Sequence, residues 1–358
     1  MPDFPSAMSH LVEVATKSDD DRALRGAVSK ALRAFDADDK AGTKTAFRTL
    51  DKASSSASGR SLQVLLLALG ALVEAGASPE LAWPIASRGL HDALQGATRF
   101  ARACIRAAGT DEVDVAIETA GADVAAKKPK DADAFRTLPA RCLASVACLT
   151  RSRKLRARVT DREALAETAY PLEDVVDEAG FLRQVLLILD EGELTVVHPE
   201  SKRGFRVTTR DVTTNFELAL LLADALVGDE AKGLIPGRRP AARAVAVAKG
   251  ETKAPKKAPE VTLPFDLHPA KGGDPHGLAL DDIPAEIPVI SGERVLVLQA
   301  PHELHPTEVE APFGGLEPRV RVIRTLKPAE VEALLAPRSR SASRTPKKAK
   351  ARAARRTS

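Results

Sequence analysis

The sequence predicts an α+β protein: a helical N-terminal array, a small antiparallel hairpin module with a helix, a C-terminal α/β unit and a disordered basic tail. Apolar residues keep helical spacing through the first half of the chain, and the spacing changes to strand-like alternation near residue 190. Phe, Trp and Tyr make up only 3% of the residues, which favours close-packed Ala- and Leu-rich helices over an aromatic-rich β-sandwich. We therefore divide the chain into a helical domain (1–180), a β-hairpin plus helix module (181–228), a basic Pro/Ala linker (229–260), a small α/β unit (261–336) and a disordered basic tail (337–358).

The helical domain is predicted from the spacing of its apolar residues and from its start signals. Residues 94–108 place their apolar side chains on one helix face and their arginines elsewhere, and residues 62–73 are apolar almost all the way round, as in a central helix. Ser78, Pro79 and Glu80 supply a capping hydroxyl, a proline at the first helical position and an early acid. The Lys-Pro break at 127–130 separates two further helices.

The hairpin module begins where the period changes. The apolar run Val185–Leu189, the turn residues 190–192 and the alternation over 194–198 predict a hairpin, and residues 204–210 predict a third antiparallel strand. Thr214 and Glu217 have capping-box spacing, so a helix is expected to follow and to end near Gly228.

The C-terminal unit follows a stretch rich in proline, lysine and arginine, which predicts an exposed linker over 229–260. Alternation over 261–267, the β-branched runs 295–298 and 320–323, and a helix start at 327–330 predict a small α/β unit. Whether its strands join the sheet of the hairpin module is open. The last 22 residues hold no apolar residue other than Ala and cannot offset the entropy of ordering them.

Several segments between residues 60 and 300 resemble a group of uncharacterised predicted proteins from high-GC bacteria. These segments are Gly70–Gly76, His198–Val207, Asn215–Leu226, Ile283–Pro288 and Gly292–Leu298. The resemblance implies a bacterial cytoplasmic setting and no assigned activity, and the basic tail is not part of it.

Other observations also predict a cytoplasmic protein. Cys104, Cys142 and Cys148 form no CxxC pair and lie in apolar helical stretches, as expected of buried thiols in a reducing compartment. The N-terminus has no secretory pattern, and the longest apolar run, at 62–73, is too short to cross a bilayer. We therefore expect no contact with a membrane.

The distribution of charge is the strongest functional signal. The net charge is +4, but the tail alone holds nine cations, which leaves residues 1–336 at −5. Such a tail binds nucleic acid or another polyanion by counterion release, without reading sequence, and the absence of aromatic residues gives it no platform for stacking bases. The predicted contact residues are Arg338, Arg340, Arg344, Lys347, Lys348, Lys350, Arg352, Arg355 and Arg356. The alternative is a tail that serves only solubility.

A second cationic stretch lies in the predicted linker. It consists of Arg238, Arg239, Arg243, Lys249, Lys253, Lys256 and Lys257. The loop of the predicted hairpin also carries two cations, Lys202 and Arg203, next to His198, and it is either a binding loop or a simple connection.

Catalytic patterns are weak. His302 and His305 are spaced i, i+3 between prolines, unlike the i, i+4 pair of a zinc protease, and His268 and His276 lie upstream. The glycine pairs lack a nucleotide-binding frame, and no GxSxG elbow is present. We therefore predict no catalytic residue, cofactor or metal ligand, and a non-enzymatic interaction protein with an unidentified protein partner. The alternative is an enzyme with an unrecognised, metal-dependent site in residues 261–320.

Overall fold

A computed structural model describes residues 3–18, 20–253, 255–270, 277–290 and 292–335. Within these residues the chain forms fourteen α-helices and one main mixed sheet, which confirms the α+β prediction. None of the described helices is long and apolar enough to cross a bilayer.

The first eleven helices form what we call the helical array. Their bounds are α1 Phe4–Lys17, α2 Asp21–Ala34, α3 Lys40–Ser56, α4 Gly59–Glu74, α5 Pro79–Ala86, α6 Leu90–Ala108, α7 Val113–Lys127, α8 Pro129–Arg151, α9 Arg153–Arg158, α10 Arg162–Ala169 and α11 Asp177–Leu186. The 23-residue α8 packs against α4, α5, α6 and α11, so it is the central element of the array. Ser78 caps α5 by accepting a hydrogen bond from the Leu81 N–H, as predicted.

The remaining elements form what we call the sheet unit. They are β1 Glu193–His198, β2 Arg203–Arg210, α12 Asn215–Leu226, β3 Val227–Gly228, β4 Ile235–Pro236, α13 Ala242–Ala248, β5 Glu260–Val261, β6 Asp266–Pro269, β7 Val289–Ile290, β8 Glu293–Gln299, β9 Thr307–Glu308, β10 Arg319–Thr325 and α14 Pro328–Leu335. The main sheet has the order β10-β2-β1-β8-β6, and β7 also pairs with β8. β1 and β8 are parallel and the other pairs are antiparallel, so the hairpin module and the C-terminal unit share one sheet.

Helix α12 covers one face of this sheet. Leu194, Val196, Phe205 and Val207 alternate along β1 and β2 and contribute to the same buried core as the apolar side of α12. Thr214 caps the helix by accepting a hydrogen bond from the Glu217 N–H, which confirms the predicted start. On the opposite face α14 packs through a small cluster of Val197, Leu326 and Val331.

Two parts of the chain differ from the sequence prediction. Residues 185 and 186 are the last turn of α11, because Leu182, Val185 and Leu186 continue its buried helical stripe; the hairpin is formed instead by β1 and β2. The stretch expected as an exposed linker contains α13, in which Ala244, Val245, Val247 and Ala248 are buried beside α12.

The array and the sheet unit are in contact through a loop before β10. Leu316 of this loop is buried in the core of the array, and Phe313 packs edge to face on Phe181 of α11 with ring centroids 5.6 Å apart. The sheet is therefore fixed against the helices at the end where β10 begins.

Candidate polyanion interface

The nine predicted contact residues of the tail lie outside the described residues. The second cationic stretch of the sequence, by contrast, lies within them except at position 254. We call this stretch, residues 237–259, the cationic segment; it holds seven basic residues and one acid, Glu251.

Helix α13 fixes the cationic segment on the sheet unit. Its Val and Ala side chains enter the core, so the charged residues before, within and after it are held at the surface. Before the helix, the Nε of Arg239 donates a hydrogen bond to the carbonyl of Val227 at 2.8 Å. After it, Lys249 forms an ion pair with Asp224 of α12 at 2.7 Å. Two of the seven cations thus anchor the segment.

The other five cations face solvent. Arg238, Arg243, Lys253, Lys256 and Lys257 are exposed, and none of them forms an ion pair with a carboxylate of the described residues. The acid of the segment is also engaged, since Glu251 lies 3.4 Å from Arg319. This surface therefore carries an uncompensated positive charge.

The segment folds back to form a shallow depression. Its volume is about 450 Å³, and Arg243 and Lys257 line it together with Pro255, Pro259 and Glu260. A phosphate group entering the depression would meet a guanidinium and an ammonium, while Glu260 is the one acid in the lining. Since residues 229–260 include no aromatic residue, the depression offers charge without a surface for base stacking.

The histidines of the alternative hypothesis are dispersed. His268 lies on β6 opposite Val297, the backbone N–H of His302 donates to Asp266, and His305 contacts Glu303. His276 lies outside the described residues. Within the described part of the chain, no group of three or more His, Cys, Asp or Glu side chains is arranged to hold a metal ion.

The loop between β1 and β2 has an internal hydrogen-bonding pattern. The Nδ1 of His198 lies 2.8 Å from the Ser201 hydroxyl and accepts a hydrogen bond from the Ser201 N–H at 3.3 Å. Burial lowers the pKa of His198. Arg203 donates to the carbonyl of Glu230, so this cation supports the loop before β4.

The three thiols are buried and free. Burial raises the pKa of the Cys142 and Cys148 thiols, so both are protonated at neutral pH and lack the thiolate that a nucleophile needs.

Sequence reasoning missed a buried ionic cluster between the array and the sheet unit. Arg156 is 2% exposed, donates to both oxygens of Asp190 at 2.8 and 3.0 Å and to the Leu149 carbonyl at 2.7 Å, and pairs with Asp211. Burial raises the pKa of Asp211, and the Arg156 charge opposes that shift. Asp190 and Asp211 lie 34 and 55 residues after Arg156 in the sequence, so no local pattern identifies the cluster. Because these contacts engage the arginine from several sides, the cluster joins the two regions and is not an open ligand site.

A second concave surface lies on the array. A groove of about 380 Å³ between α4 and α8 has a floor of small residues and exposed apolar walls. Leu67, Leu143 and Phe181 in these walls are 47%, 36% and 39% exposed. Its lining includes Glu74 and Arg151, 3.9 Å apart, so their charges largely cancel and the groove has no preference for an anion.

No protein-family model matches this chain, and no curated protein and no solved structure is significantly similar to it.

Proposed function

We propose that the chain is a non-enzymatic cytoplasmic interaction protein that contacts nucleic acid, or a polyanion of similar charge density, without sequence specificity. The single observation that supports this proposal best is the set of five exposed cations on the cationic segment, none paired with a carboxylate of the described residues. They are held on a folded surface and two of them line one depression. The tail adds nine cations to the same chain. The buried free thiols support the cytoplasmic setting.

The mechanism in this proposal is electrostatic. Each cation that approaches a phosphate releases a condensed counterion, so affinity falls steeply as salt is added, while base sequence has little influence. The tail supplies long reach, and the cationic segment supplies a surface of fixed shape. Double-stranded nucleic acid is the expected ligand, because neither the tail nor the cationic segment has an aromatic residue on which unpaired bases stack.

The test is a salt titration of binding to a random-sequence DNA duplex, with the full chain and two variants. Deleting residues 337–358 removes the tail, and Arg243→Gln with Lys256→Gln and Lys257→Gln removes three of the five exposed cations of the cationic segment. We expect each variant to weaken binding. The negative slope of log K against log salt should become less steep by about 0.9 for each phosphate that the variant no longer neutralises. The unfolding midpoint should stay unchanged, because these side chains are exposed.

The matched control neutralises three exposed cations of α2, Arg22, Arg25 and Lys30, with the same substitution. It changes the net charge by the same amount at a site far along the chain. The proposal predicts a smaller change for this control than for the cationic segment. Equal effects of the two triple variants, or no duplex binding by the full chain at low salt, would overturn it.

A further inference from the structure

The two edge strands of the main sheet, β6 and β10, differ in length and in their hydrogen bonding. β6 is four residues long and ends at Pro269, and the Leu278 N–H donates a hydrogen bond to its Leu267 carbonyl at 2.7 Å. β10, at the opposite edge, is seven residues long and pairs with β2 on one side only among the described residues. In an antiparallel edge strand, alternate N–H and C=O groups point away from the sheet and can pair with an added chain.

A β-bulge sets the arrangement of charge on this open edge. The pairing of β10 with β2 shifts between Val322 and Arg324, which leaves Ile323 without a partner across the pair. Because of that shift, Arg319, Arg321 and Arg324 lie opposite Arg210, Thr208 and Arg206, which are alternate residues of β2. The three arginines of β10 therefore share one face of the edge. Without the bulge, Arg324 would lie on the other face.

The strand between these arginines is suited to pairing. Val320, Val322, Ile323 and Thr325 are β-branched, and Val322 and Ile323 are 37% and 44% exposed. The strand holds no acid. Arg319 and Arg324 have carboxylate partners in Glu251 and Glu330, whereas Arg321 has none among the described residues.

These charges discriminate between occupants of the edge. A second copy of β10 would bring three arginines from each chain to one seam, and like charges on facing strands are destabilising. Nucleic acid is also disfavoured here, because it has no peptide backbone to pair with the free N–H and C=O groups of the strand, and only Arg321 lacks a carboxylate partner among the described residues. An extended acidic peptide fits both the unpaired backbone and the arginines.

We propose that β10 binds an extended peptide as an added strand, and that the peptide carries acidic residues at alternate positions. The peptide backbone pairs with the free edge, and its acidic side chains, two residues apart, lie beside the arginine row. Arg319 at the start of β10 contacts the cationic segment through Glu251 and the Lys249 carbonyl. The inference rests on the backbone edge of β10 and on Arg321, and on none of the five exposed cations, so it does not depend on the proposed function.

The test measures binding of a fluorescent, blocked peptide of alternating Glu and Val to the full chain at moderate salt. A peptide of the same composition with its glutamates contiguous is the first control. The alternating peptide with N-methyl groups on every second residue is the second, because it keeps the charge and removes N–H donors along one edge. We expect the alternating peptide to bind and both controls to bind at least about tenfold more weakly.

Protein variants locate the site. Arg321→Glu should weaken binding of the alternating peptide by about tenfold, since it replaces an attraction by a repulsion, and Arg321→Gln should give a smaller loss. Arg102→Glu on the exposed side of α6 is the matched charge control and should have a smaller effect than Arg321→Glu. Three results would each overturn the proposal. The first is equal binding of all three peptides, and the second is displacement of the peptide by duplex DNA to the same extent from the Arg321→Glu variant and from the wild type. The third is a dimer of the protein that Arg321→Glu disrupts. The N-methyl comparison uses only the wild-type protein, so it stands even if a variant fails to fold.

Discussion

Among the described residues, the helical array buries arginines and the sheet unit buries acids. Most ion pairs within the array lie at the surface, as in Lys17 with Glu13 and Arg88 with Asp51, and its core is built from Leu, Ala and a few Phe. Among the described residues, the buried charged groups of the array are Arg156 and Arg183, and each pairs with an acid that follows the last array helix. The sheet unit buries Asp211 and Glu217.

The buried charges determine how the two regions are positioned relative to each other. Apolar packing between helices tolerates small changes of angle, whereas a buried charge must meet its partner in one geometry. Arg156 reaches Asp190 and Asp211, and Arg183 reaches Glu286 and stacks over the Tyr170 ring at 4.9 Å. These arginines therefore fix the position of the sheet against the array, while apolar burial supplies most of the stability of both regions.

The largest expected effect comes from removing the charge that joins the two regions. Arg156→Met removes the buried counter-charge of Asp211, which is 5% exposed, and leaves it only the half-exposed Arg210 at 3.7 Å, so it should destabilise the protein by about 3 kcal/mol. Arg153→Met, which breaks an exposed pair with Glu191, should cost at most about 1 kcal/mol. Chemical denaturation measures both.

Two further measurements make this prediction sharper. Trp83, the single tryptophan, lies in the array, so its fluorescence reports that region while circular dichroism reports the whole chain. In Arg156→Met the two transitions should separate, because the regions lose part of their coupling. Adding Asp211→Asn should restore part of the loss, since Asn removes the buried negative charge that Arg156 no longer balances and tolerates the left-handed backbone of this position at φ 57°. A midpoint within error of the wild type would show that the cluster does not join the regions.

Much of the array was predictable because its signals are local. The stripe of Leu94, Ala97 and Phe100 and the cap at Ser78 each depend on residues a few positions apart. The capping box at Thr214 was found for the same reason.

The sheet unit was harder to predict because its organisation depends on contacts between distant residues. The parallel pairing of β1 with β8 joins residues about a hundred positions apart, and no local pattern encodes it. Helix α13 was hidden by the prolines and cations around its short apolar run of 242–248. Of the candidate site, sequence identified the cations, but not which of them the fold anchors: Arg239 and Lys249 are distinguished from their neighbours only by Val227 and Asp224.

The second effect compares two carboxylates in the first turns of helices. Burial raises the pKa of Glu217 in α12 to about 8, whereas a hydrogen bond from Ser152 lowers the pKa of Glu80 in α5 below its usual 4.5. Folded protein therefore keeps the Glu217 proton between about pH 4.5 and 8 while unfolded protein loses it. The contribution to stability is full below pH 4.5 and is lost as pH rises towards 8, by on the order of 1 kcal/mol per pH unit.

Glu217→Gln tests this contribution. Gln is neutral, nearly isosteric, and still able to accept the hydrogen bond from the Thr213 N–H, so the variant should lose the decline in stability between pH 4.5 and 8. Glu80→Gln should act in the opposite sense. The stabilisation that the Glu80 carboxylate supplies is present above pH 4.5 and falls as pH drops through the lowered pKa, and the variant should lose it. Unfolding midpoints across pH 4 to 9 provide the measurement. Parallel pH profiles for Glu217→Gln and the wild type would contradict the raised pKa.

The smallest effect comes from one substitution made in both regions. A Cβ on Gly204 of β2 would lie 2.8 Å from both Leu326 Cδ1 and Val331 Cγ2, so Gly204→Ala should push α14 from the sheet and cost about 1–2 kcal/mol. Gly26, within α2, has open space around its Cβ position, so Gly26→Ala should stabilise the protein by about 0.5–1 kcal/mol through lower backbone entropy in the unfolded chain.

If the free energy of unfolding falls in Gly204→Ala and rises in Gly26→Ala, Gly204 is needed for close packing of α14 on the sheet, whereas Gly26 only lowers the helix propensity of α2. Amide hydrogen exchange shows where Gly204→Ala loosens the fold. Protection should fall first in α14, because Val197, Leu326 and Val331 are the only described buried apolar residues of the cluster that holds this helix on the sheet. Unchanged exchange in α14 would mean that the helix can shift and still stay packed on the sheet. In that case the sheet unit tolerates small packing changes as the array does, and the two regions differ only in the sign of the charges that they bury.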